Sequence, residues 1–167
     1  MFITCLLFLL VIYEIVIMLL RKYKRRYVFK MANTRAKDTG KKLLVIGDPY
    51  NGIASKTTGT DYSCGDLCLD LTGCPMCSGN IIKGRLEDTI GSINLNDYVV
   101  FISCVLEYTD DLPSINFYLD KMNQQDLFVV NVEWYSFMAW FYPYFLTKER
   151  PPHYIKLPNF YIKNPLS

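Results

Sequence analysis

The most pronounced pattern in the chain is a run of nineteen residues, Phe2 to Leu20, in which Glu14 is the only charge. A helix of this length spans ~28 Å, close to the ~30 Å hydrocarbon core of a bilayer. Basic residues follow the run instead of preceding it, unlike in a cleaved signal peptide. The pattern therefore predicts one transmembrane anchor over residues 1–20, with a buried helix of a globular core as the alternative.

A basic segment follows directly, with ten Lys or Arg between Arg21 and Lys42. Positive residues stay on the cytosolic side of a membrane, so the N-terminus is expected outside and the rest of the chain in the cytosol. We interpret residues 21–41 as a basic linker near anionic headgroups. The expected partner is thus a lipid bilayer, contacted through residues 2–20 and the basic segment 21–42.

Beyond the linker, short apolar runs without alternation predict strands that are buried on both faces of a parallel sheet. The runs are Lys42–Gly47, Asp66–Leu71, Asp97–Leu106 and Asp126–Val132, with a brief further strand at Ile81–Ile82. Pro113 to Met122 has helical spacing of its apolar residues, and residues 53–65 have the composition of a loop. The expected fold class is α/β, with a small, mostly parallel sheet and few helices in a domain over residues 42–167.

The last third of the chain leaves several structures open. Residues 134–146 are crowded with aromatic side chains and fit a core helix, a membrane-surface segment or a lid. The proline-containing tail predicts edge strands at residues 154–157 and 160–162.

Charge excludes one class of partner. From Leu43 onward the chain has eight Lys or Arg and fourteen Asp or Glu, a net charge of −6. Attraction to phosphates supplies most non-specific nucleic-acid binding, so no nucleic-acid partner is expected.

Glycines and acids stand at the ends of the predicted strands. Residues 44–52 read Leu-Val-Ile-Gly-Asp-Pro-Tyr-Asn-Gly, residues 69–71 read Leu-Asp-Leu, and an apolar strand from Asp97 leads into Leu106-Glu107-Tyr108. In this order the segments resemble the class I, Rossmann-like methyltransferases that use S-adenosylmethionine. Ligands of such open sheets bind outside the carboxyl ends of the strands, where the strand order switches.

The resemblance implies a cofactor site and a catalytic region. The residues implied for binding S-adenosylmethionine are Gly47, Asp48, Asn51, Gly52, Asp70, Leu86, Glu87, Asp88 and Ser103. Glu107 and Tyr108 are the implied catalytic candidates, with Tyr108 where the family often has histidine. Tethering would direct the enzyme to a membrane-bound methyl acceptor.

Two departures from the family pattern support an alternative. Pro49 stands where the family usually has glycine, and the loop-like residues 53–65 replace its first helix. The alternative is a catalytically inactive module that serves as a structural or interaction protein of a membrane, for example that of a virus particle.

Four cysteines, Cys64, Cys68, Cys74 and Cys77, lie within fourteen residues. Cytosolic placement argues against disulfides, and four thiolates suit tetrahedral zinc, which makes a zinc-binding interaction module a second alternative. However, Cys64 and Cys68 would lie ~13 Å apart on an extended strand, too far to share one ion. A redox pair at Cys74 and Cys77, or simple packing of small apolar side chains, are the other interpretations.

Overall fold

The computed structural model describes residues 2–47, 64–71, 73, 74, 77, 79–106 and 109–130. Five strands form one sheet: β1 Lys42–Ile46, β2 Leu67–Asp70, β3 Asn80–Lys83, β4 Tyr98–Ser103 and β5 Leu127–Val130. The helices are α1 Phe2–Thr39, α2 Leu86–Thr89 and α3 Leu112–Leu119. Short 3-10 turns span Ile90–Ser92, Leu95–Asp97 and Gln124–Asp126.

The strands are all parallel and lie in the order β3-β2-β1-β4-β5. The α/β class and the parallel sheet expected from the apolar runs are therefore confirmed, and each run contains a strand. The chain order reverses between β1 and β4, where Leu44 is paired with Leu67 on one side and with Val100 on the other. This reversal is the switch point at which ligands of such sheets bind.

Alternating side chains of the central strands feed two separate cores, one on each face of the sheet. Leu43 and Val45 belong to the face covered by α1, which we call the α1 face. Leu44 and Ile46 belong to the opposite face, covered by α3, which we call the α3 face. Because both faces are covered, β1 is apolar throughout its buried length, which is why it shows no alternation.

The second half of α1 forms one layer of this fold. Phe29, Ala32 and Ala36 are buried against the α1 face, and the Phe29 ring meets Phe101 edge-on at 5.3 Å. The sequence analysis interpreted residues 21–41 as a linker. That interpretation is wrong, because the segment is helical as far as Thr39 and packs on the sheet. The small side chains of the two alanines let the helix approach the sheet closely. They also give the segment a weak hydrophobic pattern, which is why its packing was not predicted.

An ion-pair cluster at the amino edge of the sheet fixes this layer. The carboxylate of Asp126, which is 1 % exposed, accepts hydrogen bonds from Arg35 Nε at 2.7 Å and Lys41 Nζ at 2.8 Å. Burial alone would raise the pKa of the Asp126 carboxyl. The hydrogen bonds from Lys41 and Arg35, together with their charges, outweigh that effect and lower it below its ordinary 3.8.

The first half of α1 is apolar on every side. Twelve large hydrophobic side chains between residues 6 and 20 are each 39–66 % exposed, and eight of them are consecutive, from Leu6 to Tyr13. In the part of the chain that the structure describes, no helix is both long enough and apolar enough to cross a membrane.

On the α3 face, the helix expected over Pro113–Met122 is confirmed, although it ends at Leu119. The Asp111 side chain caps it by accepting a hydrogen bond from the Ser114 backbone N–H, and Pro113 lies in its first turn. Ile115 and Leu119 face the core. The aromatic residues 134–146 and the tail strands at 154–157 and 160–162 lie outside the described residues.

Candidate functional site at the carboxyl edge of the sheet

The predicted ligand residues at the ends of β1, β2 and β4 come together at one edge of the sheet. Ile46, the last residue of β1, is paired with Leu69 and with Ile102, so the residues that follow, Gly47, Asp70 and Ser103, are neighbours at the carboxyl edge. The parallel arrangement causes this, because parallel strands end on the same side. The sequence thus located the edge and three of its residues correctly.

Gly47 holds the switch point together through its backbone. Its φ of +93° favours glycine, and an added Cβ would stand 2.6 Å from the Ser103 carbonyl oxygen and 2.8 Å from Val105 Cγ2. Its N–H donates to the Leu69 carbonyl at 2.8 Å. The close approach that requires a glycine is therefore made by strand β4, and the Gly47 N–H is used within the sheet.

Asp70 ends β2 beside the turn that follows β3. Its backbone carbonyl accepts from the N–H groups of Gly73 and Gly84, both at 3.1 Å, which joins the ends of β2 and β3. The half-buried side chain of Asp70 stands at this edge. A carboxylate in this position can accept hydrogen bonds from two neighbouring hydroxyl groups, such as those of a ribose.

The segment after β3 divides its residues between core and surface. Leu86 is 3 % exposed and packs in the α3-face core, so its side chain serves the fold. Asp88 is exposed, and Glu87 is largely buried. Of the three residues implied for the adenine region, Glu87 and Asp88 are therefore the two with polar side chains placed near the edge.

Glu87 belongs to a charged cluster that joins two loops of this edge. Its Oε1 atom accepts from Arg85 Nη1 at 3.4 Å and from the Asp110 backbone N–H at 3.3 Å. Arg85 Nη1 also donates to Asp110 Oδ2 at 3.0 Å. The cluster connects the α2 segment with the loop that leads into α3.

Cys104 also lies at this edge, and it is not among the residues that the resemblance implied for the site. It follows β4 in a left-handed conformation with φ +54°, and its N–H donates to the Val130 carbonyl at 2.7 Å. The Ser103 hydroxyl lies 3.9 Å from its sulfur. A non-glycine residue in this conformation is uncommon, and sequence alone carries no signal for it.

Five of the implied residues fall outside the described part of the chain: Asp48, Asn51, Gly52, Glu107 and Tyr108. The described edge thus consists of Gly47, Asp70, Glu87, Asp88 and Ser103, with Arg85 and Asp110 beside them. It can offer carboxylates to hydroxyl or amino groups of a ligand.

The four clustered cysteines lie on the α1 face beside β2. They form two disulfides, Cys64–Cys77 and Cys68–Cys74, with Cα–Cα distances of 5.8 and 6.6 Å. The expectation that cytosolic placement would leave them unpaired is wrong in this structure. Strand β2 begins only at Leu67, so Cys64 lies before the strand and can approach Cys77.

Comparison of the chain with protein-family models, with curated proteins and with solved structures finds no match. The resemblance to class I methyltransferases therefore stays a prediction drawn from the order of the motifs.

Proposed function

We propose that this chain is a membrane-anchored protein that binds S-adenosylmethionine at the carboxyl edge of its sheet and transfers the methyl group to a membrane-bound acceptor. One observation carries the proposal: the strand order reverses between β1 and β4, and Gly47, Asp70 and Ser103 meet at that reversal. Ligands of open parallel sheets bind at such a reversal.

Each described residue has a role in this proposal. Asp70 accepts hydrogen bonds from the ribose hydroxyls, and Glu87 and Asp88 line the adenine side. Gly47 keeps the ends of β1 and β4 close enough to form the floor of the site. Methyl transfer mainly requires that the acceptor be aligned with the sulfonium carbon, and Glu107 and Tyr108 are the proposed candidates for removing the acceptor's proton.

Titration calorimetry of the full chain in detergent tests ligand binding, with S-adenosylmethionine and S-adenosylhomocysteine as ligands. We expect Asp70→Asn to weaken binding by about tenfold or more, because a carboxylate that accepts hydroxyl protons contributes ~1.5–3 kcal/mol. Asp38→Asn is the matched control, since Asp38 is exposed near the end of α1, which leads into the start of β1 at the opposite edge of the sheet. Absence of binding by the folded wild-type chain contradicts the proposal.

Two observations support the proposed membrane anchor. The sequence from Phe2 to Leu20 holds one charge, and twelve large apolar side chains between residues 6 and 20 are exposed, although Ile17 is buried. A helix that is hydrophobic all round is stable inside a protein core or a bilayer. The basic residues that follow direct the sheet to the cytosolic side.

Flotation with vesicles that contain phosphatidylcholine and phosphatidylserine tests the anchor. We expect the wild-type chain to float and to resist alkaline extraction, and the double variant Leu9→Arg, Ile12→Arg to do neither, because arginine costs ~2.5–3.5 kcal/mol at the centre of a span. Phe117→Arg is the matched control, since Phe117 is a 57 % exposed apolar residue of α3. A wild-type chain that floats but is extracted lies on the membrane surface, which contradicts the crossing.

A second candidate function is that of a catalytically inactive module, which serves as an interaction protein of the membrane that holds the chain. The observation that favours it is the use of the Gly47 N–H by Leu69, which removes one donor that a bound cofactor could use. Transfer of labelled methyl from S-adenosylmethionine to membrane extracts separates the two candidates. Binding without transfer by the wild-type chain would favour the inactive module.

A further inference from the structure

The four cysteines of the chain's middle segment form one sulfur cluster on the α1 face. Cys68 and Cys74 are completely buried, and Cys64 and Cys77 are half-buried and packed against the same core. The sulfur atoms of Cys68, Cys74 and Cys77 lie within 4.8 Å of one another, and Cys64 is bonded to Cys77. All four sulfurs therefore occupy one small region.

This cluster covers sheet surface in place of a helix. Parallel strands are usually joined by a crossover of a dozen or more residues that includes a helix, but only residues 71–79 join β2 to β3. Helix α1 packs chiefly against β1, β4 and β5. Among the described residues, the cysteine cluster packs on the α1 face at β2, where a crosslink can perform the task that a packed helix performs elsewhere.

The local backbone suits a pair of metal ligands at Cys74 and Cys77. The Cys77 N–H donates to the Cys74 carbonyl at 2.9 Å, which closes a turn and brings both ends of Cys-Pro-Met-Cys to one side. Tetrahedral zinc holds its thiolates at ~2.3 Å, so the sulfurs of a four-cysteine site lie ~3.8 Å apart. The sulfurs of Cys68, Cys74 and Cys77 already lie within 4.8 Å of one another, so this spacing falls within the range that these three show.

We propose that Cys64, Cys68, Cys74 and Cys77 bind one Zn²⁺ ion when they are reduced, and that the zinc site and the two disulfides are alternative crosslinks of the same cluster. Four thiols lose four protons as the four zinc–sulfur bonds form. From the disulfide form, a dithiol reductant first supplies two electrons and two protons to each disulfide. The inference is independent of the methyl-donor site, because none of these sulfurs belongs to it.

Metal analysis of the full chain, purified in detergent with a phosphine reductant and without added metal, tests the proposal. We expect about one zinc per chain in the wild type and in the control variants Cys5→Ser and Cys104→Ser, whose thiols lie outside the cluster. Cys77→Ser, at a half-buried position, is expected to lower zinc affinity by about tenfold or more. Chelation is expected to lower the melting temperature of the wild type and the controls.

Cobalt substitution gives a readout that does not depend on how the variants fold. Four thiolates around Co²⁺ give the intense visible absorption of tetrahedral coordination together with sulfur-to-metal charge-transfer bands, and we expect both in the reduced wild type. Free titration of all six thiols of the reduced wild type, without stoichiometric zinc or the cobalt spectrum, overturns the proposal. Zinc that Cys77→Ser holds as tightly as the wild type, in competition with a chelator, is adventitious and also overturns it.

Discussion

At the scale of single residues, buried charge and backbone conformation account for the most specific contacts of the fold. Asp126 lies at the start of β5, yet its two cationic partners come from the end of α1 and from the residue before β1. A buried carboxylate with paired oxygens is stable only while both partners stay in place. Gly47 has the same importance at the opposite edge, where its missing side chain makes room for the Ser103 carbonyl.

Replacing Asp126 by asparagine should lower the free energy of unfolding by about 2 kcal/mol at neutral pH, because Arg35 and Lys41 lose a charged partner. The pKa of Asp126 is lowered in the folded state, so its contribution is present above the ordinary value of 3.8 and is lost as the pH falls through the folded-state value. Urea unfolding at several pH values checks this. The difference in the free energy of unfolding between the wild type and the variant should shrink below pH 3.8. A difference that stays constant with pH would contradict the account.

Gly47→Ala should destabilise the fold by about 2–3 kcal/mol, because alanine meets both an unfavourable φ and the Ser103 carbonyl. Gly79→Ala is the matched control, since a Cβ at Gly79 has no atom within 4 Å. Thermal or urea unfolding without ligand measures both. Equal stability of the two variants would contradict this prediction, because it would mean that β4 shifts to make room for the added Cβ at Gly47.

At the scale of elements, α1 is the part of the fold that differs most from the sequence-based expectation. The strands were predictable, because runs such as residues 43–46 are apolar without interruption. The second half of α1 was not, because its buried stripe consists of Arg25, Phe29 and two alanines, among exposed residues such as Lys30 and Lys37. Such a stripe has little hydrophobic contrast, and only contact with the sheet identifies it.

Phe29→Ala tests whether this half of α1 is part of the folded core. We expect a loss of about 3 kcal/mol in the free energy of unfolding, from the vacated volume and the lost edge-on contact with Phe101. Tyr27→Ala, at a 50 % exposed position of the same helix, should change stability by less than about 0.5 kcal/mol. If Phe29→Ala were equally mild, α1 would not contribute to the core.

The candidate site was predictable to the extent that it depends on strand order. Asp70 and Ser103 could be placed at one edge because a parallel sheet puts all strand ends together. The charged cluster of Arg85, Glu87 and Asp110 and the left-handed Cys104 depend on how loops meet, which no local pattern encodes. The cysteine pairs were missed because the expected cytosolic placement argued against disulfides, and because the position of Cys64 relative to β2 decides which sulfurs can meet.

At the scale of the whole molecule, one continuous helix connects the apolar segment with the sheet. Nine residues separate Leu20 from Phe29, which is ~14 Å along a helix. If residues 2–20 lie in a bilayer, the sheet is held close to the headgroups instead of on a flexible tether. An acceptor carried by the membrane would then be within reach.

Hydrogen–deuterium exchange of the full chain in lipid nanodiscs, with and without S-adenosylhomocysteine, tests the central claim that the carboxyl edge is a ligand site. The account predicts slower exchange on binding at Gly84–Asp88 and Ser103–Cys104. It predicts no change at the amino edge, at Leu95–Asp97 and Gln124–Asp126. Unchanged exchange at the carboxyl edge under saturating ligand, or slowing confined to the amino edge, would contradict it.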